Sequence, residues 1–248
     1  GGHAIDFVRM HDGCSFQEAV AKLLGGEQGQ TFRSASERNA EPQKLFALPL
    51  PHHNMRRVYA YLMKQRHIDR DIITHFARAG TLYEDAKYHN AVFVGTDEHG
   101  VARHAQKRST NSQGKSFKLN VAGSDARYSF HHLGDDGDLY VFEAPIDLLS
   151  YITLHPENWQ QHSYVACCGT SYEPVRWILT RMEAPQMVSL CLDHDNAGDQ
   201  GCERMAKQIS SEFGFPTRRL VPEQKDWNED LCALREAPRR QRMEMEMR

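Results

Sequence analysis

Two apolar runs in this 248-residue chain end in carboxylates, and their spacing is the strongest chemical signal in the sequence. Leu139 to Phe142 runs into Glu143, with Asp147 four residues on; Met187 to Leu192 runs into Asp193, with Asp195 two residues on and Asn196-Ala197-Gly198 behind it. Each run reads as a buried strand that ends in acid and turns into a helix. In an open parallel sheet, ligands collect at the carboxyl ends of strands. Asp193 and Asp195 point the same way while the chain stays extended, and the step from Glu143 to Asp147 is about one helical turn. A third acidic turn, Lys225-Asp226-Trp227-Asn228-Glu229-Asp230, follows another strand-like run and is within reach of the same rim. Carboxylates gathered so closely repel one another unless a cation neutralises them. Hard oxygen donors with water positions left open suit Mg2+ or Mn2+, ions that serve phosphate chemistry. The competing explanation, that each Asp merely caps a helix, covers one Asp-x-Asp more easily than three acidic turns on one rim.

The elements that must position these acids follow from alternation. Strand patterns at 139–143, 163–168, 187–192 and 217–221 each precede a helical pattern, at 146–154, 173–182, 197–213 and 228–235. That order predicts a parallel-sheet α/β domain over residues 138–235. Upstream, Val58, Tyr61, Leu62, Ile68, Ile72, Ile73 and Phe76 have helical spacing and predict helices over 54–66 and 69–79 that meet near His67. Residues 91–96 and 101–106 predict a hairpin around Asp97-Glu98-His99-Gly100, and 107–137 reads as loop. Residues 52–137 are therefore expected to form a small mixed α+β subdomain. At the start, Ser15-Phe16-Gln17-Glu18 is a capping box ahead of Ala19, Val20, Leu23 and Leu24, and Gly25-Gly26 closes that helix. Residues 1–26 are read as a helical segment, 27–51 as a linker or extended arm, and 236–248 as a charged tail, frayed or disordered.

One stretch is locally basic in a chain of net charge −3. Residues 101–118 carry Arg103, Lys107, Arg108, Lys115 and Lys118 without an acidic residue, and Asn111, Ser112 and Gly114 loosen the segment. A stripe of this kind is what a phosphate backbone needs. Arg56, Arg57, Lys64, Arg66 and Arg70 read as a solvated helix face, and His52-His53 and His131-His132 as surface loops. The tryptophans read as packing residues. With 40% hydrophobic and 25% charged residues the chain can bury a core. It has no apolar run near the roughly 20 residues of a membrane span and no secretory signal, so a cytoplasmic protein without membrane partners is expected. Six cysteines without a C-x-x-C pair are expected to be reduced thiols.

These motifs, in this order, resemble the toprim domain shared by bacterial primases, topoisomerases and some nucleases. Glu143-x-x-x-Asp147, Asp193-x-Asp195-x-Ala197-Gly198 and Lys225-Asp226-Trp227-Asn228 carry the resemblance, with Cys168-Gly169-Thr170 similar to the family's turn between the acidic strands. Tyr61 to Phe76 resembles the helix pair ahead of the primase core, and Val92-Phe93-Val94 with Gly100-Val101 its hairpin. Gly1 to Phe7 with Ser15 to Ala19 resembles the stretch just after a primase zinc ribbon. The match spans roughly residues 1–25 and 55–233 and is nearest to primase-like toprim proteins of plasmids and other mobile elements. It departs at Ala144-Pro145, where glycine usually follows the first Glu, and at Asn228, where a second Asp is common.

The resemblance implies a DNA primase-like nucleotidyltransferase that makes short primers on single-stranded DNA. Glu143, Asp193 and Asp195 would be catalytic, and Mg2+ or Mn2+ would be held by them with Asp147 and Asp226. Arg103, Lys107, Arg108, Lys115 and Lys118 would contact template and nucleoside triphosphates, with replication or conjugation proteins as further partners. Zn2+ is expected only with a ribbon upstream, since no zinc-spaced Cys/His set is present; a helicase-docking domain is not expected in the short stretch after the last motif. Two other classes use the same residues: a toprim nuclease with water as nucleophile, and an inactive module that binds single-stranded DNA.

Overall fold

The chain, described by a computed structural model, divides into two compact units, Gly1–Gln43 and Lys44–Arg248. The structure describes Val8, His11, Asp12, Ala19 and residues 45–111, 116–182 and 185–246, with side chains to Ala237. In the first unit these four residues are helical and Ala19 is buried. The rest of the helical segment expected over 1–26, most of the linker expected over 27–51, and Lys115 of the basic stretch lie outside the described residues.

In the second unit residues 45–50 form an extended arm that leads to Pro51. Helix α1 (Arg56–Ala60) then continues into a wide π-helical turn, Tyr61–Gln65. The Arg66 amide bonds to the Tyr61 carbonyl, five residues back, and the extra residue in the turn brings both Tyr61 and Leu62 to the core, 3% and 0% exposed. His67, at φ 56°, makes the bend. Helix α2 (Arg70–Arg78) starts behind Asp69, whose carboxylate accepts the Asp71 amide. The antiparallel sheet that follows runs β1 (Leu82–Glu84), β2 (Ala91–Thr96), β3 (Ala102–Arg108) and β4 (Lys118–Asn120), in that order. The β2–β3 hairpin is where the sequence puts it. Strand β4 and the edge strand β5 (His131–His132) lie in the stretch read as loop, and β1 in one where no element was expected, because two or three residues are too few to show a period of two.

The second sheet has the order β5-β7-β6-β8-β9, with β6 (Asp138–Phe142), β7 (Ser163–Ala166), β8 (Met187–Leu190) and β9 (Thr217–Arg219) parallel. The expected parallel sheet is in fact mixed, since β5 joins β7 antiparallel. Alternation assigns the faces. Tyr140, Phe142, Tyr164, Ala166 and Cys191 pack on one side with α3 (Pro145–Leu154), with Trp227 and Leu231 of α6 (Trp227–Glu246), and with Val58, Ile73 and Phe76 from the upstream helices. Leu139, Val141, Val165, Val188 and Leu190 pack on the other with α4 (Glu173–Leu179) and α5 (Asn196–Glu212). Helix α3 is buried from Pro145 to Thr153, hence its unbroken apolar character. The tail expected to fray past residue 235 continues α6 to Glu246. Cys167, Cys168, Cys191, Cys202 and Cys232 are free. Among the described residues no helix is long and apolar enough to cross a membrane.

The two sheets meet where β2 passes the segment before β5. A Cβ on Gly95 would stand 1.7 Å from the Tyr128 carbonyl oxygen and 2.5 Å from the Ser129 carbonyl carbon, both backbone atoms. Gly95→Ala is therefore expected to cost about 2–3 kcal/mol of stability. Urea unfolding checks this, and an unchanged midpoint would contradict so close a contact.

Candidate active site

From β6 the chain goes to β7 on one side and, later, from β8 to β9 on the other. The crevice between the carboxyl ends of β6 and β8 is thus the point where the winding reverses, the place where such sheets bind ligands. Val141 pairs with Leu190 across this line, so Glu143 and Asp193 emerge beside each other.

Each acid is held by local structure. The Glu143 side chain is 17% exposed, and its backbone carbonyl accepts the Gly169 amide at 3.1 Å. Ala144 is the extended residue before α3 and Pro145 is its first helical residue, a position for which proline's fixed φ is already suited. Asp147 falls in the first turn, 6% exposed. Asp193 is fixed through its backbone: Arg219 Nη2 donates to its carbonyl at 2.9 Å, and Nη1 donates to the Leu192 carbonyl at 2.7 Å. Asp195 caps α5, its Oδ1 accepting the Ala197 and Gly198 amides. A Cβ on residue 198 would lie 2.0 Å from the Asp193 carbonyl oxygen, which is why the motif needs glycine there. The third turn is tied in by the His194 amide to the Lys225 carbonyl (2.7 Å) and by Trp227 Nε1 to the Cys191 carbonyl (2.9 Å). Asp226 caps α6 through the Glu229 amide. Capping and rim formation are therefore not alternatives: Asp195 and Asp226 do both.

The electrostatics unite the five acids. Burial pushes the Asp147 carboxyl well above the usual carboxylate range, and Asp226, Asp193 and Glu143 push it further. Burial raises Asp193 to about 6, with Glu143, Asp226 and Asp195 adding to it and Lys118 opposing. Lys118 Nζ donates to Glu143 Oε1 at 3.2 Å. Carboxylates that raise one another in this way offer oxygen donors of the kind a divalent cation of the Mg2+ or Mn2+ class takes, although among the described residues the groups of three whose ligand atoms lie within 4.8 Å of one another are elsewhere, at His52, Glu84 and His89 and at Asp136, Asp138 and His162. Glu143, Asp147, Asp193, Asp195 and Asp226 are the residues that would hold that cation.

Strand alternation divides the basic stretch. Arg108 and Lys118 are directly paired across β3 and β4, and so share a face. Arg108 also lies opposite Ala91, whose side belongs to the main core. Lys107 lies opposite Val92, on the other face, and Arg103 shares that parity and pairs with Asp97 at 2.7 Å. Only Arg108 and Lys118, among the described basic residues of this stretch, stand on the acidic side. Arg66, expected on a solvated face, is instead half-buried. Its Nη1 donates to Asn228 Oδ1 (3.0 Å) and its Nε to the Tyr61 hydroxyl (3.0 Å), which also accepts Arg108 Nε (3.3 Å). Asn228, 2% exposed, donates its Nδ2 to the Arg66 carbonyl and to Ser150 Oγ, both at 2.9 Å. A carboxylate could not make those donations. The helical pattern conceals Arg66 because the π turn rotates it inward, and nothing in the sequence marks Arg219 as the clamp on Asp193.

The fold is a mixed five-stranded α/β sheet behind a small antiparallel subdomain. Residues 140–231 match the family model described as Toprim-like, and residues 60–136 match one described as a protein of unknown function, DUF3991. Residues 140–231 are thus similar to toprim domains, and the fold of the chain is that of primase catalytic cores. It is 28% identical over 250 residues to an uncharacterized protein, pXO2-78, of Bacillus anthracis, covering 92% of this chain and 72% of that one. Among solved structures it resembles the primase fragment of the bacteriophage T7 primase-helicase protein, with a TM-score of 0.53, 18% identity, and coverage of 71% of this chain and 70% of that one. It also resembles the E. coli primase catalytic core, with a TM-score of 0.50, 15% identity, and coverage of 73% and 69%.

Because Asp193 holds its proton more tightly in the folded protein than in the unfolded chain, its contribution to stability is present in acid. It is lost as pH rises from about 4 through about 6. A divalent cation competes with that proton. The rise in Tm on adding Mg2+ is expected to be larger near pH 7.5 than near pH 5, and Asp193→Asn should remove the difference. Equal shifts at both pH values in the unaltered protein would take Asp193 out of the ion's coordination.

Proposed function

We propose that this chain is a primase-like nucleotidyltransferase that joins nucleoside triphosphates into short primers on single-stranded DNA. The observation that carries the proposal is the acidic rim at the winding reversal, met by Lys118 from the neighbouring sheet, with Arg108 paired to Lys118 across β3 and β4. Carboxylates for metal ions and cations for phosphates thus stand on opposite sides of one crevice. A divalent cation bound by Glu143, Asp193 and Asp195, with Asp147 and Asp226 in support, supplies charge neutralisation at the phosphates and lowers the pKa of the attacking hydroxyl.

The chain's own groups do the rest. Arg108 and Lys118 bind the triphosphate and the template backbone, the first as a forked donor and the second as a point charge, both suited to phosphate oxygens. Lys118 is held at the site through Glu143, so the cation and the acid set each other's position. Arg66, next to Arg108 through the shared Tyr61 hydroxyl, adds positive charge at the same edge. In the reaction the 3′-hydroxyl oxygen bonds to the α-phosphorus, the bond to the β-phosphate oxygen breaks, pyrophosphate leaves, and the hydroxyl proton passes to solvent or to a rim carboxylate. The relative named pXO2-78 supports a place for this chain on a mobile element, where single-stranded DNA and replication or conjugation proteins are its partners.

The test is primer synthesis with single-stranded DNA, labelled nucleotides and Mg2+ or Mn2+, beside Asp193→Asn. Labelled short products that fall about 100-fold or more in the variant are expected. Cut template without incorporation would make the chain a nuclease. DNA binding that survives EDTA without turnover would make it a binding module.

A further inference from the structure

Away from the acidic rim, the structure assigns a second metal site: we propose that His52, Glu84 and His89 bind a transition-metal ion of the zinc class, which fastens the arm before α1 to the first sheet. Glu84 lies in β1 and is 1% exposed. Its Oε2 accepts the Arg57 and Val58 amides at 3.0 and 3.1 Å, which leaves Oε1 to the histidines. His89 Nδ1 is 2.6 Å from Oε1 and His52 Nδ1 is 3.8 Å from it. One ligand atom from each of the three residues lies within 4.8 Å of the others. Two imidazole nitrogens and a carboxylate oxygen are a donor set for Zn2+ and its neighbours rather than for Mg2+. Around a tetrahedral ion with bonds of about 2.0–2.2 Å, ligand atoms stand about 3.3–3.6 Å apart. The pair at 3.8 Å closes slightly and the pair at 2.6 Å opens as the ion replaces the shared proton.

Both histidines are held for this by bonds that do not involve an ion. The His52 amide donates to the Glu84 carbonyl at 2.7 Å, Pro51 bridges to Asp85, and the Ala86 amide donates to the Leu50 carbonyl. His89 closes a loop wound around buried Asp85, which accepts the Tyr88 amide and Asn90 Nδ2. At φ 59°, it occupies the left-handed region, in which His, like Asn and Asp, is among the non-glycine residues found most often. The side chains of His52 and His89 are 20% and 26% exposed, so an ion can reach them. His52 Nδ1 gives up a 3.1 Å contact with the Asn54 carbonyl on ligation. Such an ion would link residues 51–52 to the loop 85–90. The His89 carbonyl accepts Thr110 Oγ1 at 2.7 Å, so the segment just after β3, within the basic stretch, would be steadied by the same ion. Asp136, Asp138 and His162 also bring ligand atoms together; they serve as the control.

The experiment is equilibrium dialysis of the full chain, freed of metal by chelation, against Zn2+ with saturating Mg2+. Co2+ absorption serves as the second readout. One zinc equivalent is expected to disappear in both His52→Ala and His89→Gln and to persist in Asp193→Asn and His162→Gln. The visible Co2+ bands should be lost in the same two variants. His89→Gln keeps a donor for Glu84, and circular dichroism verifies that it folds. Unchanged zinc stoichiometry in the two histidine variants, or loss confined to Asp193→Asn or His162→Gln, would overturn the assignment. So would the absence of bound zinc in the unaltered chain.

Discussion

Negative charge concentrated at the crevice between β6 and β8 is the constraint around which the rest of this structure is arranged. Asp147 is buried, Asp193 is half-buried, and both are raised by burial and by their acidic neighbours. Such a rim is unfavourable for the empty protein and must be held in place by something other than itself. The holding groups are backbone-directed: Arg219 on the carbonyls of Leu192 and Asp193, the Lys225 carbonyl on His194, and Trp227 on the Cys191 carbonyl. None of these bonds uses the acids' own oxygens, so the carboxylates stay available while their backbones are fixed. Asp195 and Asp226 each lend oxygen to a helix cap, which orients them and partly offsets their charge with the helix amino end.

The basic side can oppose this rim only because one core runs through both sheets. Val58, Ile73 and Phe76 from the upstream helices pack with Phe142, Leu149 and Trp227 of the toprim-type part. Polar struts cross the same boundary: the Asp69 amide to Thr153 Oγ1, Lys118 to Glu143, and Arg66 with Asn228. The backbone positions of Arg108 and Lys118 are thus set by strand pairing, with Lys118 reaching Glu143, and a preorganised charge arrangement of that kind needs little reorganisation when charge develops on a phosphate.

Much of this was legible in the residues. The four parallel strands, the hairpin and the bend near His67 were marked by apolar runs and helical spacing, since burial on both faces of a central strand leaves a continuous hydrophobic signature. The acids of the rim were marked by their position after those runs. What was not legible depends on pairing rather than on local sequence. Strand alternation sends Lys107 to the far side of the sheet, and Arg103, at the shift in register opposite Gly95 and Thr96, is taken up by Asp97; neither appears until β3 meets β2. Arg66 reads as one more charge on a polar helix face until the π turn rotates it inward, and His52 reads as a surface residue until the arm pairs with β1. Strands as short as β1, β4 and β5 have no period to detect.

The two departures from the usual toprim pattern acquire physical reasons in this setting. Ala144 is extended and Pro145 opens α3 with a φ that the helix already requires, so neither disturbs Asp147. Asn228 is more informative. Its oxygen accepts from Arg66 while its nitrogen donates to the Arg66 carbonyl and Ser150, so both ends of the amide are used in a buried place. A carboxylate there would leave two acceptors facing it across a desolvated contact, at a cost of about 1–3 kcal/mol or more. The amide therefore reads as part of the strut that locks the helix pair to α3 and α6. It leaves the acidic work to the five carboxylates whose side chains remain on the rim, and Arg66, fixed by that strut and by Tyr61, is kept beside Arg108.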